Sequence, residues 1–528
     1  MDNIYLTGFM GCGKSTLGKV LAEHLRRHFV DMDAMLVKTI GMPIDQFFQL
    51  HGEKAFRQRE YDLLRRLAQH DRLVVATGGG VPCNAANREL MLASGHIVFL
   101  DMPLASIRDR LSAAEIAVRP KWQTDDGELQ KLFASRRPHY RRDSIAIDGE
   151  LPLADKVAII QRKLFPPKQC PVNLNGVTHT LTATFTPEIA LQQWLAARTE
   201  AYSRIVFLCD YRCADLHAER FRPRFPHALF ISVQPGETSK SLRRAEAIYK
   251  QLLAANVGRD ALLVALGGGV VTDLGAFVAA TYKRGIDCVL VSTTLLGCVD
   301  ASIGGKAAVN VGDWKNQVGL FTRPQAVFLD CGSFWTLPGT AIRDGLIEAY
   351  KTGIALDRDF MIWIEEQLPI LLSGDSVLLA HTAFQSAFLK AAVVKEDFLE
   401  CGLRKVLNLG HTYGHAVETW NHCRVSHGRC VAAGLLATLA ISQQRQLVSA
   451  AWAAPRRALL NALIGQPFAL PNAEQAWPIM ANDKKNRGGK VLFVLMTEAA
   501  PGYAFVNDVS PADLDQALAE QLFPDKHK

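Results

Sequence analysis

Several features that define whole classes of proteins are missing from this sequence. Its 11 cysteines are scattered without a Cys-x-x-Cys pair, and an odd count without regular spacing favours reduced thiols over a disulfide framework. No internal repeat and no low-complexity tract is present, and no uncharged apolar run is long enough to span a membrane. No basic and apolar leader precedes the first strand-like segment at Ile4, so we expect no signal peptide, no membrane partner and a cytoplasmic location.

The sequence also lacks a strong excess of charge of either sign. The formal net charge is +7 over 528 residues, and Lys and Arg are spread along the chain rather than gathered in a basic tract. Without such a tract or a known binding motif, we expect no nucleic-acid partner. A mild excess of cations suits small anionic substrates. Hydrophobic residues make up 49% and charged residues 21%, which predicts folded globular domains, and the length allows several of them.

Short apolar segments alternate with helical patterns over residues 1–165. This pattern predicts βαβ units and a parallel sheet with helices on both faces. Strands are predicted at residues 3–8, 73–77 and 96–100. Helices are predicted to follow Lys14, Ile44, Asn84 and Leu104. Three prolines then fall between residues 165 and 171, so we predict a linker over residues 166–174.

The rest of the chain is predicted to form two further domains. Residues 172–185 alternate like an antiparallel strand. Segments typical of buried parallel strands lie at residues 204–210, 228–233, 261–267 and 288–292. From about residue 340 the pattern becomes helical, with one hairpin-like element near residues 491–495. We therefore predict an α/β domain over residues 175–338 and a mostly helical domain over residues 339–528.

A glycine-rich segment directly follows the first predicted strand. Residues 8–15 read Gly-Phe-Met-Gly-Cys-Gly-Lys-Ser, which fits the GxxxxGK[ST] pattern of a phosphate-binding loop. The backbone N–H groups of such a loop surround phosphate oxygens, and the following helix adds positive potential. We predict that Lys14 reaches the outer phosphates of ATP and that Ser15 ligates Mg²⁺. The residues predicted to hold the nucleotide are Gly11, Cys12, Gly13, Lys14, Ser15 and Thr16.

Candidate residues for the phosphoryl acceptor lie further along the same domain. Asp31 and Asp33 could hold Mg²⁺ and a substrate hydroxyl, although an Asp at this position could equally cap a helix. Arg57 precedes Glu60 by three residues on a helical segment, where a surface ion pair is the commoner outcome. Three glycines at 78–80 follow another strand and could approach a ligand or form a tight turn.

Together these residues resemble shikimate kinase over nearly all of residues 1–165. The shikimate-binding residues that the resemblance implies are Asp33, Arg57, Gly79 and Arg136. It also implies that Asp31 lies near Mg²⁺ and that a lid arginine, Arg119, approaches the phosphates and aids catalysis with Lys14. Arginine suits this role because a guanidinium grips a carboxylate bidentately and offsets charge during phosphoryl transfer. The lid reads Arg-Pro-Lys-Trp at 119–122, where the family usually has Arg-Pro-Leu-Leu.

Two alternatives stay open for this domain. It could phosphorylate another small polyol, as gluconate-type kinases do, since arginines indicate a carboxylate without identifying the acceptor. It could also be a nucleotide-binding regulatory or assembly module, an alternative that the unusual lid motivates.

Candidate cofactor and metal residues occur in the second half of the chain. Three glycines at 267–269 end a predicted strand, where a pyrophosphate could approach, but the GxGxxG fingerprint is absent. Glu348, His411 and His427 could form a two-His, one-carboxylate set that leaves a metal position open for substrate. His411 and His415 share a helical face, so chemistry alone would allow both as ligands. Either could instead make only structural hydrogen bonds.

Residues 175–500 resemble 3-dehydroquinate synthase. The segments that carry the resemblance are 235–240, 267–273, 300–306, 315–316, 348–351, 402–404 and 408–415. The resemblance implies Zn²⁺ or Co²⁺ on Glu348, His411 and His427, with His415 in acid–base chemistry. Family members also tend to dimerise, so we expect a homodimer through this part.

The same resemblance implies NAD⁺ and a phosphorylated sugar acid as ligands. The residues implied for NAD⁺ are Asp210, Glu237, Lys240, Gly267, Gly268, Gly269, Val270, Asp273, Thr293, Thr294, Lys306 and Lys315. Those implied to grip the substrate are Arg284, Asp300, Lys306, Asn316, Lys351, Lys390, Arg404, Asn408, Lys484 and Lys485. Catalytic roles are implied for Arg284, Asp300, Lys306, Lys351 and Arg404 together with His415. A substrate with phosphate and carboxylate groups needs several such cations.

The resemblance also implies a mechanism. The metal polarises a secondary hydroxyl that NAD⁺ oxidises to a ketone, the ketone acidifies the adjacent C–H, and phosphate is eliminated. The hydride then returns, and ring opening and aldol closure give the carbocycle. The alternative is a simple metal-dependent alcohol dehydrogenase. Ala307 replaces a common Thr and Arg429 replaces a usual acidic residue next to His427, where it could alter the environment of that ligand.

The sequence therefore predicts a fused bifunctional enzyme of the shikimate pathway. Its fold class is α/β, with a P-loop kinase-type parallel sheet, an α/β NAD-binding domain and a mostly helical metal-binding domain. Its predicted substrates are shikimate and a heptulosonate phosphate.

Overall fold

The computed structural model describes residues 2–112, 116, 122, 125–312, 314–481, 491–500 and 502–521. The chain divides into two compact units, Met1–Pro166 and Pro167–Lys528. Each unit has its own sheet and core, and each is described separately.

The first unit is built on a five-stranded parallel sheet in the order β2-β3-β1-β4-β5. Its strands are β1 (Asn3–Thr7), β2 (His28–Asp31), β3 (Leu73–Ala76), β4 (Gly95–Asp101) and β5 (Ile145–Asp148). All five residues of β1 are buried, as expected of a central parallel strand covered on both faces. The three predicted strands are confirmed as β1, β3 and β4. The edge strands β2 and β5 were not predicted. β3 is equally short but fully buried, whereas β2 has no buried residue and β5 has one, so neither shows a buried apolar run.

Helices cover this sheet. They are α1 (Lys14–Leu25), α2 (Met32–Ile40), α3 (Ile44–Leu67), α4 (Ala85–Ser94), α5 (Leu104–Arg110), α6 (Asp126–Arg141) and α7 (Leu153–Leu164). The predicted helices after Lys14, Ile44, Asn84 and Leu104 are confirmed as α1, α3, α4 and α5. One core cluster places Tyr5 and Val75 of the sheet against Leu63 and Leu64 of α3. Because all five strands are parallel, their carboxyl ends and the loops that follow them lie at the same end of the sheet.

The second unit contains a seven-stranded sheet and two separate hairpins. In chain order the strands are β6 (Lys168–Leu174), β7 (Val177–Thr184), β8 (Ile205–Asp210), β9 (Leu229–Val233), β10 (Leu262–Gly267), β11 (Asp287–Ser292), β12 (Lys306–Val311), β13 (Trp314–Phe321), β14 (Ala326–Asp330), β15 (Phe493–Met496) and β16 (Tyr503–Val506). The sheet order is β6-β7-β14-β11-β10-β8-β9, and β12-β13 and β15-β16 pair separately. Every pairing in the large sheet is parallel except β6 with β7.

The predicted linker over residues 166–174 is wrong for most of its length. Residues 168–174 form β6, which pairs antiparallel with β7 across a turn at Asn175 and Gly176. Both turn residues have positive φ, 51° and 85°, which is the geometry that Asn-Gly favours in a hairpin. Pro171 is tolerated because β6 lies at the edge of the sheet. The proline run predicted a break, but the Asn-Gly turn signal outweighs it.

The strand predicted over residues 172–185 is divided by this turn, since residues 172–174 end β6 and residues 177–184 form β7. The predicted strands further along are confirmed as β8, β9, β10 and β11, and the late hairpin as β15 and β16. The β12–β13 hairpin was not predicted. Seven of the eight residues of β13 are exposed, so this strand has no buried stripe that a hydrophobic pattern could reveal.

Helices make up most of the chain after β14. The helices of the second unit are α8 (Pro187–Ala196), α9 (Tyr211–His217), α10 (Leu242–Ala254), α11 (Gly269–Thr281), α12 (Gly339–Leu356), α13 (Arg358–Ser373), α14 (Ser376–Glu396), α15 (His411–Trp420), α16 (His427–Gln444), α17 (Ala450–Ile464), α18 (Ala473–Ala481) and α19 (Pro511–Gln521). By length and composition α14 is apolar enough to cross a membrane, but most of it is buried inside the protein. Burial of this kind is typical of a core helix.

Candidate active sites

The phosphate-binding loop of the first unit joins β1 to α1. Gly8, Gly11 and Gly13 adopt φ of 143°, 87° and 94°, a region that side chains with a Cβ rarely adopt. Gly13 is the N-cap of α1 and provides no side-chain hydrogen bond to the first turn. The Lys14 ammonium donates to the carbonyls of Gly8 and Phe9, both at 3.0 Å. The loop therefore presents backbone N–H groups and one cation to an anion at the start of a helix.

Asp31 connects this loop to the next element. Its Oδ2 accepts a hydrogen bond from the Ser15 hydroxyl at 2.5 Å, and its Oδ1 accepts from the backbone N–H groups of Asp33 and Ala34 at 3.1 and 3.2 Å. Both interpretations made from the sequence therefore apply, because Asp31 caps α2 and also contacts Ser15. The Ser15 hydroxyl and the Asp31 carboxylate, both predicted to lie near Mg²⁺, are thus in direct contact.

Arg57 is held beside the glycine triplet by two carboxylates. Its guanidinium contacts Glu53 at 2.8 Å and Glu60 at 2.5 Å, and Glu60 is buried. Burial raises the pKa of Glu60, while Arg57 opposes the shift. A Cβ at Gly80 would lie 2.2 Å from the Arg57 Nη1 atom. A side chain at residue 80 would therefore displace the guanidinium from this position. The two ion pairs order Arg57 beside the triplet.

The remaining predicted shikimate residues converge on the same triplet. A Cβ at Gly78 would lie 2.7 Å from Asp33 Oδ1, and one at Gly79 would lie 3.7 Å from Arg136 Nη1. The Tyr140 hydroxyl donates to the carbonyl of Gly79 at 2.6 Å. The structure thus brings Asp33, Arg57, Gly79 and Arg136 together, with acidic and basic groups facing one backbone turn.

Part of the predicted lid can be described. Arg119 lies outside the described residues, whereas Trp122 is buried with its ring edge against Phe9 at a centroid separation of 6.2 Å. Phe9 belongs to the phosphate-binding loop, so Trp122, one of the two lid residues that depart from the family pattern, packs on that loop.

In the second unit, the predicted metal ligands come from three helices. His411 and His427 are the first residues of α15 and α16, and Glu348 lies within α12. Helices α15 and α16 approach closely because of glycines: a Cβ at Gly434 would lie 1.7 Å from the carbonyl oxygen of Gly410. This close crossing places the two helix N-termini, and hence the two imidazoles, side by side.

The geometry of these three side chains fits a metal ion. Glu348 Oε1 lies 3.6 Å from His411 Nε2 and 3.5 Å from His427 Nε2. This oxygen is buried, and its contacts with the two imidazoles are longer than an ordinary hydrogen bond. Three ligand atoms therefore surround one point within 4.8 Å of each other, at a separation that suits a shared metal ion better than direct hydrogen bonds.

The Nδ1 atoms of His411 and His427 each contact a hydrogen-bond acceptor. His411 Nδ1 lies 3.2 Å from the carbonyl of Leu409, and His427 Nδ1 lies 3.3 Å from Glu418 Oε2. These contacts leave both Nε2 atoms directed at Glu348. A second set of possible ligands, His415, Glu418 and His427, is less suitable because Lys315 and His427 already occupy both oxygens of Glu418.

Three of the predicted substrate cations are buried, and one of them contacts Glu348 directly. Lys351 Nζ lies 2.6 Å from Glu348 Oε2, and Lys390 donates to Asp300 Oδ1 at 2.7 Å. Burial lowers the pKa of Lys390 to about 8, although Asp300 opposes the shift. Burial favours the neutral acid at Asp300, but Lys390 and Lys351 lower its pKa overall. Arg404 is fully buried and donates to the carbonyl of Gly304 at 3.0 Å.

Glu400 joins two other predicted substrate residues. It pairs with Lys306, and its Oε1 accepts from the Asn408 amide at 2.7 Å. Glu400 has a φ of 60°, which is unusual for a residue with a side chain and marks a constrained position. Glu400 was not predicted from the sequence, because it lies only four residues before Arg404 but 94 residues from Lys306.

Most residues predicted for NAD⁺ lie at the carboxyl ends of the parallel strands. Gly268 caps α11 without a side-chain hydrogen bond, and a Cβ there would lie 2.9 Å from Thr294. Gly267, Gly269, Val270 and Thr293 lie next to it in the chain or the neighbouring strand, and the Thr293 N–H donates to the Gly267 carbonyl at 3.0 Å. This is the edge at which open α/β sheets bind ligands.

Further predicted residues form a polar cluster around the β12–β13 hairpin. Lys240 pairs with Asp273 and donates to Asn316 Oδ1 at 2.5 Å. Glu237 Oε1 accepts from the amide of Asn310 at 2.7 Å. The unpredicted hairpin is thus the element that connects the predicted cofactor residues to the predicted substrate residues.

Some predicted residues do not join these clusters. Asp210 caps α9 by accepting from the N–H of Cys213 at 2.7 Å, at the end of β8. Arg284 is exposed with a φ of 65°, and no described contact links it to the Lys390 or Lys306 clusters. Lys484 and Lys485 lie outside the described residues.

Different protein families match the two units of the chain. The family model for shikimate kinase matches residues 10–161. The models for the N-terminal and C-terminal parts of 3-dehydroquinate synthase match residues 230–344 and 345–486. A 3-dehydroquinate synthase from Halorhodospira halophila is 36% identical over 339 residues, covering 63% of this chain and 94% of the relative.

The chain belongs to the 3-dehydroquinate synthase family. Its first unit is a shikimate kinase domain, which makes the chain a fused, bifunctional enzyme. A bifunctional shikimate kinase/3-dehydroquinate synthase from Thermotoga maritima shows the same fusion and is 29% identical over 485 residues, covering 91% of this chain and 93% of the relative. The resemblance to shikimate kinase and to 3-dehydroquinate synthase is therefore confirmed.

Solved structures show the same fold for the synthase unit. A 2-deoxy-scyllo-inosose synthase, crystallised with carbaglucose-6-phosphate, NAD⁺ and Co²⁺, aligns with a TM-score of 0.61 at 20% identity over 67% of this chain and 100% of that chain. A 2-epi-5-epi-valiolone synthase from Streptomyces hygroscopicus, with NAD⁺ and Zn²⁺ bound, aligns with a TM-score of 0.57 at 23% identity over 66% and 97%. The predicted α/β fold class is confirmed.

The structure explains one departure from the usual pattern of the synthase family. Arg429 donates to the carbonyl of Ile464 at 3.1 Å and also bonds to the carbonyl of Gln466, and it stacks over Phe468. A cation suits this position because the last carbonyls of α17 carry the negative end of the helix dipole. Arg429 thus anchors the end of α17, and its described contacts do not include His427.

Proposed function

We propose that this chain catalyses two reactions of the shikimate pathway. The kinase unit transfers phosphate from ATP to shikimate, giving shikimate 3-phosphate. The synthase unit converts 3-deoxy-D-arabino-heptulosonate 7-phosphate to 3-dehydroquinate and releases phosphate. The observation that carries the synthase assignment is the buried Glu348 oxygen between two imidazole Nε2 atoms, beside a set of buried cations.

For the kinase, the proposal assigns each part of the site a task. The loop with Gly11, Gly13 and Lys14 binds the phosphates of ATP. Ser15 and Asp31, whose side chains are in direct contact, hold Mg²⁺ through their oxygens. Arg57 and Arg136 grip the carboxylate of shikimate, while Asp33 accepts a hydrogen bond from its hydroxyl. Positioning of this kind supplies most of the catalysis in phosphoryl transfer.

For the synthase, Glu348, His411 and His427 would hold Zn²⁺ or Co²⁺. The donor set fits, since two nitrogens and one carboxylate oxygen are the ligands of an open catalytic zinc site. A bound metal would polarise the substrate hydroxyl, and NAD⁺ held at the Gly267–Gly269 turn would accept and return a hydride.

The chain's own residues bind and orient the substrate. Lys351, Lys390 and Arg404 are buried cations that would bind its carboxylate and phosphate groups, and burial strengthens such contacts. Lys306 and Asn408 would exchange their contact with Glu400 for contacts with substrate. His415, with its ring 5.1 Å from that of His411, would transfer a proton. Glu400 is a second candidate for proton transfer, since it lies between two substrate-binding groups.

The two assignments can be tested independently in the full-length chain. Shikimate should stimulate ADP formation from Mg-ATP, and Lys14→Met should abolish it while leaving phosphate release by the synthase intact. Glu348→Gln should abolish phosphate release and leave shikimate-dependent ADP formation intact. If ATP binds but shikimate gives no stimulation, the first unit is a regulatory module or a kinase for another polyol.

The expected setting is a cytoplasmic homodimer that associates through the synthase unit. These two points come from the sequence and the family resemblance, and sedimentation of the purified chain would test the second.

A further inference from the structure

Glu418 occupies a position between the metal-ligand set and the β12–β13 hairpin. It lies on α15, seven residues after His411 and three after His415, and it is buried. Its Oε2 lies 3.3 Å from His427 Nδ1, and its Oε1 accepts from Lys315 Nζ at 2.8 Å. Each oxygen of one carboxylate therefore contacts a different element.

We propose that Glu418 is a positioning residue that orients His427 as a metal ligand and is itself held in place by Lys315. The inference rests on the proposed function, because it assumes that Glu348, His411 and His427 bind the metal.

The geometry supports this role in three ways. An imidazole that ligates through Nε2 needs an acceptor at Nδ1 to fix its tautomer and ring orientation, and Glu418 is the acceptor that the described structure provides for His427. His411 already has a backbone acceptor, the carbonyl of Leu409, so the two ligands are held by different kinds of group. A backbone carbonyl cannot be moved by a neighbouring side chain, whereas a carboxylate can.

Lys315 supplies the link to the rest of the site. It lies at the start of β13, next to Asn316, which in turn accepts from Lys240. The chain of contacts therefore runs from the predicted cofactor residues through Lys315 and Glu418 to His427. An ordered Lys315 keeps the Glu418 carboxylate against His427, and a change at the hairpin would be transmitted to one metal ligand and not to the other.

The test measures Zn²⁺ affinity of the full-length chain by competition with a chelating dye, after removal of metal. Wild type should bind one Zn²⁺ in the synthase unit, and Glu418→Gln should weaken binding by about 10- to 100-fold. Lys315→Met should weaken it several-fold in the wild-type background and by at most twofold in Glu418→Gln, since its effect passes through Glu418. Glu365→Gln is the matched control: that carboxylate accepts from Tyr350 and contacts Arg456 in the same unit, and its loss should leave Zn²⁺ affinity unchanged.

A spectroscopic measurement separates positioning from a merely structural role. The visible absorption of bound Co²⁺ reports ligand geometry and should change in Glu418→Gln and stay as in wild type in Glu365→Gln. If Glu418→Gln binds Zn²⁺ as tightly as wild type with an unchanged Co²⁺ spectrum, the positioning role is refuted and the proposed function stands. If Lys315→Met strengthens binding or acts equally in both backgrounds, the link to the hairpin is refuted. If wild type binds no Zn²⁺, both the metal assignment and this inference fail.

Discussion

Metal binding to the synthase unit should depend steeply on pH, because His427 is predicted to be protonated in the metal-free protein. Burial alone would lower the pKa of His427, but its contacts with Glu348 and Glu418 raise it to about 10. A metal ion can bind only to the unprotonated imidazole, so binding at neutral pH must release this proton.

The size of the effect follows from that single proton. Between pH 7 and pH 9, below the raised pKa, Zn²⁺ affinity should rise about tenfold per pH unit, or about 100-fold over the range. A His427 with an ordinary pKa near 6.5 would give almost no dependence over the same range. The assay is chelator competition at each pH, corrected for protonation of the chelator, with calorimetry in two buffers of different ionisation enthalpy to count released protons.

The same shift predicts how stability changes with pH in the metal-free protein. A histidine whose folded pKa lies above its unfolded value stabilises the fold fully below pH 6.5, and this contribution is lost as the pH rises toward about 10. The contribution of His427 should therefore make the metal-free chain less stable to urea from pH 7 to pH 9. A flat Zn²⁺ affinity over this range, with no proton released, would refute the reasoning.

Three further predictions test other parts of the structure. Gly80→Ala should raise the KM for shikimate at least tenfold with ATP affinity unchanged, because its Cβ would lie 2.2 Å from Arg57 Nη1; steady-state kinetics with both substrates would show it. Ser15→Ala should raise the Mg²⁺ concentration that gives half-maximal ADP formation, without loss of nucleotide binding, and titration with Mg²⁺ would show it. Gly176→Ala should destabilise the synthase unit by about 1 kcal/mol in urea unfolding, because Gly176 has a φ of 85°.

Local motifs were predictable from the sequence, and contacts between distant segments were not. The phosphate-binding loop depends on eight consecutive residues between one strand and one helix, so its pattern and its geometry agree. Glu418 contacts Lys315 across 103 residues, and Glu400 contacts Lys306 across 94. Helical spacing from His411 was a signal for Glu418, but only the packing of α15 beside β13 reveals its partner.

The fold follows the same rule. Buried strands such as β10 were predictable because all six residues are apolar or glycine and all are buried. The exposed strand β13 has no such pattern, and β6 lay within a proline-rich stretch that indicated a break. In both cases the strand is specified by its pairing partner rather than by its own composition.

The most direct test of the central claim is phosphate release from 3-deoxy-D-arabino-heptulosonate 7-phosphate by the full-length chain with Zn²⁺ and a small amount of NAD⁺. The account predicts that phosphate released exceeds the NAD⁺ present many times over and that no NADH accumulates, because the hydride is returned within each turnover. NADH formed in proportion to product would contradict it and indicate a dehydrogenase, and an absence of phosphate release by metal-loaded protein would contradict the synthase assignment itself.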